Sequence, residues 1–332
     1  MLVRRFAVLG LFIMLAAVAI VSTASAQLDG RTNETGGDRD VSGQTVRTHL
    51  YGTPGNCLRV VTAGVQTRNA DPAPPTAGGS IVLPAGPEAG NVVWAGLYWE
   101  ILGSTAPVNA VTLNGSAVTP VALPVTASPC WPEANAYPFF ADVTGLVVAG
   151  VNVVAGLDDS GTLAVGPESE GASLVVVYQG DQTSGSACEI IVTDGNDLTR
   201  LSGQSYENLL PVSCGDDVAA TLTFLGADGQ TGIHGFAPDD QLWNHVVLSG
   251  SQDDWNASDP DAPGAEAELG WDTDSWAVTT GGSNVAAIDI PLLGGPGDCV
   301  NWIATVLEVG VGECLPTPTR SSTWGEIKAI YR

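Results

Sequence analysis

Positive charge is what this chain has least of. Eleven Lys and Arg stand against 36 Asp and Glu, for a formal net charge of −25, and between Arg68 and Arg320 the sole basic side chain is Arg200. Nucleic acid is thereby excluded as a partner, because phosphate binding draws on clustered lysine and arginine. Histidine is nearly as scarce, with His49, His234 and His245 the full complement. Gly-x-Ser-x-Gly, His-Glu-x-x-His and a phosphate-cradling glycine loop are all missing, so serine-hydrolase, zinc-protease and P-loop chemistry find no support. The interior shows almost no helical period, and after residue 26 no run is long and apolar enough to span a bilayer.

What is present begins with an export signal. Residues 1–26 have a basic start (Arg4, Arg5), an apolar stretch from Phe6 to Val21 and the small-x-small sequence Ala24-Ser25-Ala26, which reads as a secretory signal peptide. The mature chain is then expected to begin at Gln27, without a membrane span, in the secreted or cell-surface compartment. Six cysteines, Cys57, Cys130, Cys188, Cys214, Cys299 and Cys314, all lie in the exported part. An even set in an exported chain predicts a disulfide framework. Sequence cannot choose among the 15 pairings open to six cysteines, although proximity favours Cys188 with Cys214 and Cys299 with Cys314, leaving Cys57 with Cys130. No Cys-x-x-Cys or Cys/His cluster suggests zinc.

The 41 glycines and 21 prolines punctuate short runs of Val, Ile, Leu, Thr and aromatic residues, an all-β pattern. Its middle reads twice. VVWAGLYWEI, NAVTLNG, FADVTGLVVAGVNVVAG and EGASLVVVY are followed in the same order by ATLTFLGADG, NHVVLSG, DTDSWAVTTGGSNVAAI and NWIATVLEVG. The pairs Asn109/Asn244, Asp142/Asp274 and Asn152/Asn284 lie 135, 132 and 132 residues apart. Two tandem, related β-sandwich or jelly-roll domains follow, with strands apolar on both faces at the sheet centres.

The expected divisions are a flexible leader at 27–49, a first domain at 50–180, a connecting segment at 181–215 and a second domain at 216–314. A proline-rich linker and a C-terminal tail at 315–332 complete the chain. Trp324, Ile327, Ile330 and Tyr331 in that tail recur at spacings compatible with a short helix.

Candidate chemistry is thin. The acidic stretch from Asp253 to Asp274 offers Asp253, Asp254, Asp259, Asp261, Asp272 and Asp274 as oxygen donors for a structural Ca²⁺ ion, although Pro263 and Gly270 break the EF-hand pattern. Trp131, Trp255 and Trp271 sit in loop-like surroundings, where an aromatic face could stack on a sugar ring; folding over the sandwich ends is the bland alternative. Trp94, Trp99, Trp276 and Trp302 fall in strand patterns and read as core. His245 reads as a strand histidine. Carboxylates are too many for sequence to select a glycosidase pair, whose separation is a three-dimensional property.

NVVWAGLYWE, VTLNG, FFADVTGLV, SLVVVY and TFLGADGQ, in that order, resemble a family of uncharacterised secreted β proteins of bacterial and archaeal surfaces, over roughly Thr76 to Val311. The chain departs from that pattern at Gly171-Ala172. The resemblance implies an extracellular surface or adhesive module and supplies no catalytic residues. The expectation is therefore a structural or adhesive protein without catalytic activity, with a cell-surface component or glycan as partner. The alternative is a carbohydrate-binding or carbohydrate-active double jelly roll with a groove between its halves.

Overall fold

Alternation writes the strands. In Val92–Gly103 the even positions Trp94 and Tyr98 and the odd positions Ala95, Leu97, Trp99 and Ile101 are all buried, in two different cores. A strand apolar on both faces must be covered on both. The computed structural model describes residues 43–53, 56–68, 76–108, 110–127, 134–160, 167–181, 185–198, 205–229, 240–248, 270–289 and 300–312. Among them every regular element is a strand, and none is a helix.

The chain opens with β1 (Thr45–Tyr51). A first unit follows: β2 (Leu58–Gln66), β3 (Thr76–Val82), β4 (Val92–Gly103), β5 (Thr112–Leu113), β6 (Ser116–Ala117), β7 (Val121–Ala122), β8 (Thr126–Ala127), β9 (Asn135–Asp142), β10 (Val151–Asp158) and β11 (Glu168–Gln179). The second unit is β12 (Glu189–Leu198), β13 (Ser205–Leu209), β14 (Ala219–Gly229), β15 (Asp240–Trp243), β16 (Val246–Val247), β17 (Gly270–Thr279), β18 (Val285–Asp289) and β19 (Asn301–Val309).

The units have the same topology. One sheet of the first unit runs β2-β11-β4-β9-β7 and the corresponding sheet of the second runs β12-β19-β14-β17; the other sheets run β3-β10-β5-β6 and β13-β18-β15-β16. The strand pairings are antiparallel throughout. Each unit is a sandwich with its own core. The first is built on Leu97, Trp99, Ile101, Leu113, Phe139 and Leu174, the second on Leu222, Phe224, Trp243, Ile288, Trp302 and Leu307. A third core fuses them, with Trp94, Tyr98, Val175 and Val177 of the first unit packed against Ile190, Val192, Ile303 and Val306 of the second. The order of layers is outer sheet, inner sheet, inner sheet, outer sheet.

The same local device recurs in both copies. Asn114 (φ +53°) and Gly115 (φ +76°) turn β5 into β6; Asn244 (φ +50°) and His245 (φ +64°) turn β15 into β16. Positive φ at both central residues is the hairpin geometry that matches strand twist, and asparagine tolerates it. Each asparagine also clamps the neighbouring strand. Asn114 Oδ1 accepts the Val153 N–H at 2.9 Å and its Nδ2 donates to Leu146 O at 2.9 Å. Asn244 Oδ1 accepts the Val285 N–H at 3.0 Å and its Nδ2 donates to Gly281 O at 2.8 Å.

Several sequence expectations are corrected here. The residue equivalent to Asn244 is Asn114, while Asn109 lies outside the described residues. Asp142 ends β9, whereas Asp274 stands in the middle of β17, so that pair is not equivalent. Asn152 and Asn284 are: each accepts a backbone N–H from the loop before its strand, from Val148 at 2.9 Å and Gly281 at 2.8 Å. The leader expected at 27–49 contains β1 from Thr45 onward, and β1 pairs with β12 of the second unit. The segment 181–215 is no linker, because it holds β12 and β13, the first two strands of the second copy. Both errors share a cause: β1 and β12 derive their stability from partners more than 100 residues away, a relation that local patterning does not carry. His245 is a turn residue, with Nδ1 3.3 Å from Glu207 Oε1. The signal peptide and the C-terminal tail lie outside the described residues.

Candidate functional site

Polar and charged side chains cross the seam between the inner sheets at several points. Tyr98 donates to Asp194 Oδ2 at 3.3 Å, and Arg47 grips the same carboxylate through Nε at 2.6 Å and Nη2 at 3.0 Å while its guanidinium lies 4.4 Å from the Phe140 ring centroid. Burial pushes the Asp194 carboxyl above its ordinary value, although Arg47 pulls the other way. Burial, reinforced by the neighbouring Asp194 charge, also pushes the Tyr98 phenol well above its usual range. A cleft of about 340 Å³ opens beside this node between β1 and Ala122, Leu123 and Pro124. Elsewhere on the seam, Glu308 Oε1 accepts from Arg59 Nε at 2.8 Å and from the Val60 N–H at 3.1 Å.

A buried ionisable cluster lies at one end of the first unit's inner sheet. Glu100 shares its face of β4 with Trp94 and Tyr98, points toward the second unit and accepts a hydrogen bond from Asn301 Nδ2 at the start of β19. The register of β11 shifts between Ser169 and Gly171, which sets Glu170 into a bulge; bulges re-aim side chains and recur beside functional sites. Arg68, just past β2, lies between two carboxylates, with Nε 3.4 Å from Glu168 Oε1 and Nη1 3.5 Å from Glu170 Oε2. Thr67 and Ser169 pair their hydroxyls at 2.6 Å, and the Thr67 N–H donates to Glu170 O at 3.1 Å. Glu100, Glu168, Glu170 and Arg68 are each at most 3% exposed. Charged side chains at that depth are rare outside paired or functional settings.

This cluster was missed by sequence reasoning, though a signal was there. Glu100 interrupts a strand otherwise apolar on both faces, and Glu168 and Glu170 open β11 just before its apolar run Leu174–Tyr178.

The residues singled out from sequence fare differently. Trp271 is fully buried in β17, and its Nε1–H donates to Ser173 Oγ at 2.5 Å across the seam. It therefore presents no face to a sugar, because the strand begins at Gly270 and turns the indole into the fused core. Trp131 and Trp255 lie outside the described residues. Asp272 and Asp274 are strand residues rather than loop donors: Asp272 is buried, and Asp274 accepts from Gln241 Nε2 at 2.8 Å. Asp253, Asp254, Asp259 and Asp261 lie outside the described residues, and among the described residues no three acidic, His or Cys side chains come together as a cation site.

The Cys188–Cys214 disulfide is formed, with Cα atoms 6.2 Å apart. It ties the start of β12 to the chain leading into β14. Cys57 is disulfide-bonded as well, while Cys130, Cys299 and Cys314 lie outside the described residues. Next to the Cys188 bridge, burial raises the Glu189 carboxyl, but hydrogen bonds from His49, the Cys214 and Ser213 N–H groups and the Ser213 hydroxyl outweigh it and hold the group below its ordinary value.

No family model matches the chain, and no curated protein matches it. Among solved structures it is similar to a recombinant N-glycanase F (PNGase F), at 10% identity and a TM-score of 0.22, over 78% of this chain and 97% of that one. A likeness at that level carries no argument about fold or function. The class is defined by the molecule's own architecture: an all-β protein of duplicated sandwiches joined through their inner sheets.

Proposed function

We propose that this chain is exported through residues 1–26 and serves outside the cell as a structural or adhesive β module without turning over a substrate. The observation that supports this reading is the fused core between the inner sheets, with its cross-seam bonds from Tyr98 to Asp194, Arg59 to Glu308 and Trp271 to Ser173. A block whose halves share one interior holds a fixed display of loops and sheet edges. The acidic surface and the disulfides suit an extracellular setting, and the resemblance to secreted surface proteins agrees with it. Calcium held by the acidic stretch at 253–261 belongs to the same proposal.

The test is a binding screen of residues 27–332 against glycans and cell-wall polysaccharides, run with calcium and with a chelator, with the recovered glycans analysed by mass spectrometry. Intact glycan retained on the protein supports the adhesive reading, and loss of that retention with chelator supports the calcium site. Cleaved glycan overturns the non-catalytic reading.

A second reading, a carbohydrate-active double sandwich, is favoured by one observation: Glu168 and Glu170 are buried on either side of Arg68, and Glu100 is buried on the paired strand β4, opposite Gly171. Glycan cleavage uses two carboxyls held in different environments, one as acid and one as base or nucleophile. Under this reading Glu100→Gln and Glu170→Gln abolish cleavage while leaving the protein folded. Cleavage that persists in both sinks it.

A further inference from the structure

The edges of the two inner sheets are unequally guarded. Exposed strand edges invite pairing, and proteins blunt them with bulges, charges, proline or shortness. On the second unit's inner sheet, β1 has a register shift at Val46/Thr48 and carries Arg47 and His49, and β17 meets β14 through a bulge and carries Asp272 and Asp274. At the far edge of the first unit's inner sheet, β7 and β8 are two residues each. Among the described residues the remaining edge is β2. Its pairing with β11 runs from Leu58 to Gln66 without a shift, and Val60 to Gln66 (VVTAGVQ) contains neither charge nor proline.

Beside this edge runs a groove of about 210 Å³, walled by Val60, Val61 and Thr62 and floored by Thr221, Thr223 and Ser275 of the second unit. The floor is the inner sheet of that unit, which extends past β2. Thr221 and Ser275 are exposed, and Val60 to Thr62 half-buried. The Val60 N–H points outward, to Glu308, so by strand alternation Thr62 also turns its N–H and C=O outward.

We propose that the β2 edge accepts one extended polypeptide segment from a partner, added as a further strand to the first unit's inner sheet. Three observations choose this occupant. The equivalent edge in the duplicate, β12, is already covered by an extended strand, β1. The groove continues the established interface between the inner sheets, so an added strand lies over Thr221 and Ser275 as β2 lies over the second unit. The groove's volume of about 210 Å³ admits a few small side chains from one face of a single strand, far less than a second packed sheet would need. Small and β-branched side chains fit the floor. With Glu308 the one charged residue among those named at the groove and a chain of net charge −25, the segment is neutral to basic. Main-chain bonds supply affinity and alternate side chains supply selectivity, as in other strand-addition sites. The groove stands apart from the carboxylate cluster and does not depend on either functional reading above.

The probe is a labelled peptide of residues 43–53, GQTVRTHLYGT, a basic extended strand of the kind the duplicate edge already holds. Binding is read by fluorescence anisotropy on residues 27–332, with new amide-exchange protection at Thr62 and Gly64, the outward-facing amides beyond Val60. Thr62→Pro removes an outward N–H on an edge strand, where proline is tolerated, and Thr221→Arg fills the floor from an exposed position. The expected result is binding that weakens at least tenfold in both variants. No binding to the parent protein overturns the proposal. So does binding of equal strength in both variants, which would place the peptide elsewhere, for instance at β12 in exchange for β1.

Discussion

Replacing Trp271 tests the claim that the two sandwiches share one interior. The side chain is fully buried at the seam, and its Nε1–H donates to Ser173 Oγ, which pairs in turn with Thr273 Oγ1 at 2.6 Å. The fit is close: a Cβ built on Gly171 would stand 2.4 Å from the Trp271 Cβ and 2.6 Å from the Val65 carbonyl oxygen. Trp271→Ala removes a large buried ring and leaves a cavity, a change that costs about 3–5 kcal/mol. Trp271→Phe keeps most of the volume and loses the indole donor, leaving Ser173 bonded to Thr273; about 1–2 kcal/mol is expected. At about 2.1 cal/mol/K of unfolding entropy per residue, each kcal/mol moves Tm of a chain this long by roughly 1.5 °C, so the alanine variant should melt about 5–8 °C below the parent in calorimetry. Gly171→Ala should destabilise as well, because its neighbours are backbone and a Cβ that cannot swing away. If both tryptophan variants melt within about 1 °C of the parent, the indole is not in a packed interior and the fused-core argument fails.

Asn114→Ala and Asn244→Ala each remove a two-bond clamp and a residue suited to positive φ, so each should cost about 1–2 kcal/mol in urea unfolding; a neutral result at either would mean that the hairpin turns do not depend on their asparagines. Cys188→Ser with Cys214→Ser opens a loop with a sequence separation of 26, for which the chain-entropy estimate is about 3.5 kcal/mol; unchanged stability would show the bridge unformed or strained. Glu189 is held below its ordinary value, so the stability it contributes is complete above the unfolded glutamate value, near about 4.3, and is lost as pH falls through its lower folded value. Glu189→Gln should flatten that acid-side loss in pH-dependent thermal unfolding, and an unchanged profile would assign the loss to other groups.

The all-β class, the duplication and the buried strand tryptophans were legible because strand alternation is local. Trp99 and Trp302 stand in runs apolar on both faces, and both are fully buried. Trp276, in the more polar run GWDTDSWAVT, is only partly buried, at the margin of the second core. Trp271 was misread as a loop residue because it follows Gly270 and a long acidic, proline-containing stretch, a context that hides the first residues of β17. His245 was misread for the opposite reason: NHVVLSG has strand composition, but Asn244 and His245 take the positive φ values of a two-residue turn. The carboxylate cluster went unseen because Glu100 comes from β4, Glu168 and Glu170 from β11 and Arg68 from the chain just past β2, and their placement follows from sheet order and a bulge on β11.

Periodicity by itself determined the β class, the two-sided central strands and the repeat, since these depend on which residues alternate along a single strand. The tertiary structure decided that β1 crosses to the second unit, that Glu189–Leu198 opens the duplicate instead of linking the halves, that Trp271 seals the seam, and that β2 forms a sheet edge among the described residues, beside Thr221 and Ser275. Each of these is a relation between segments far apart in the chain. Hydrogen-bond partners and packing faces at that range are chosen by the assembled sheets, not by the residues on either side.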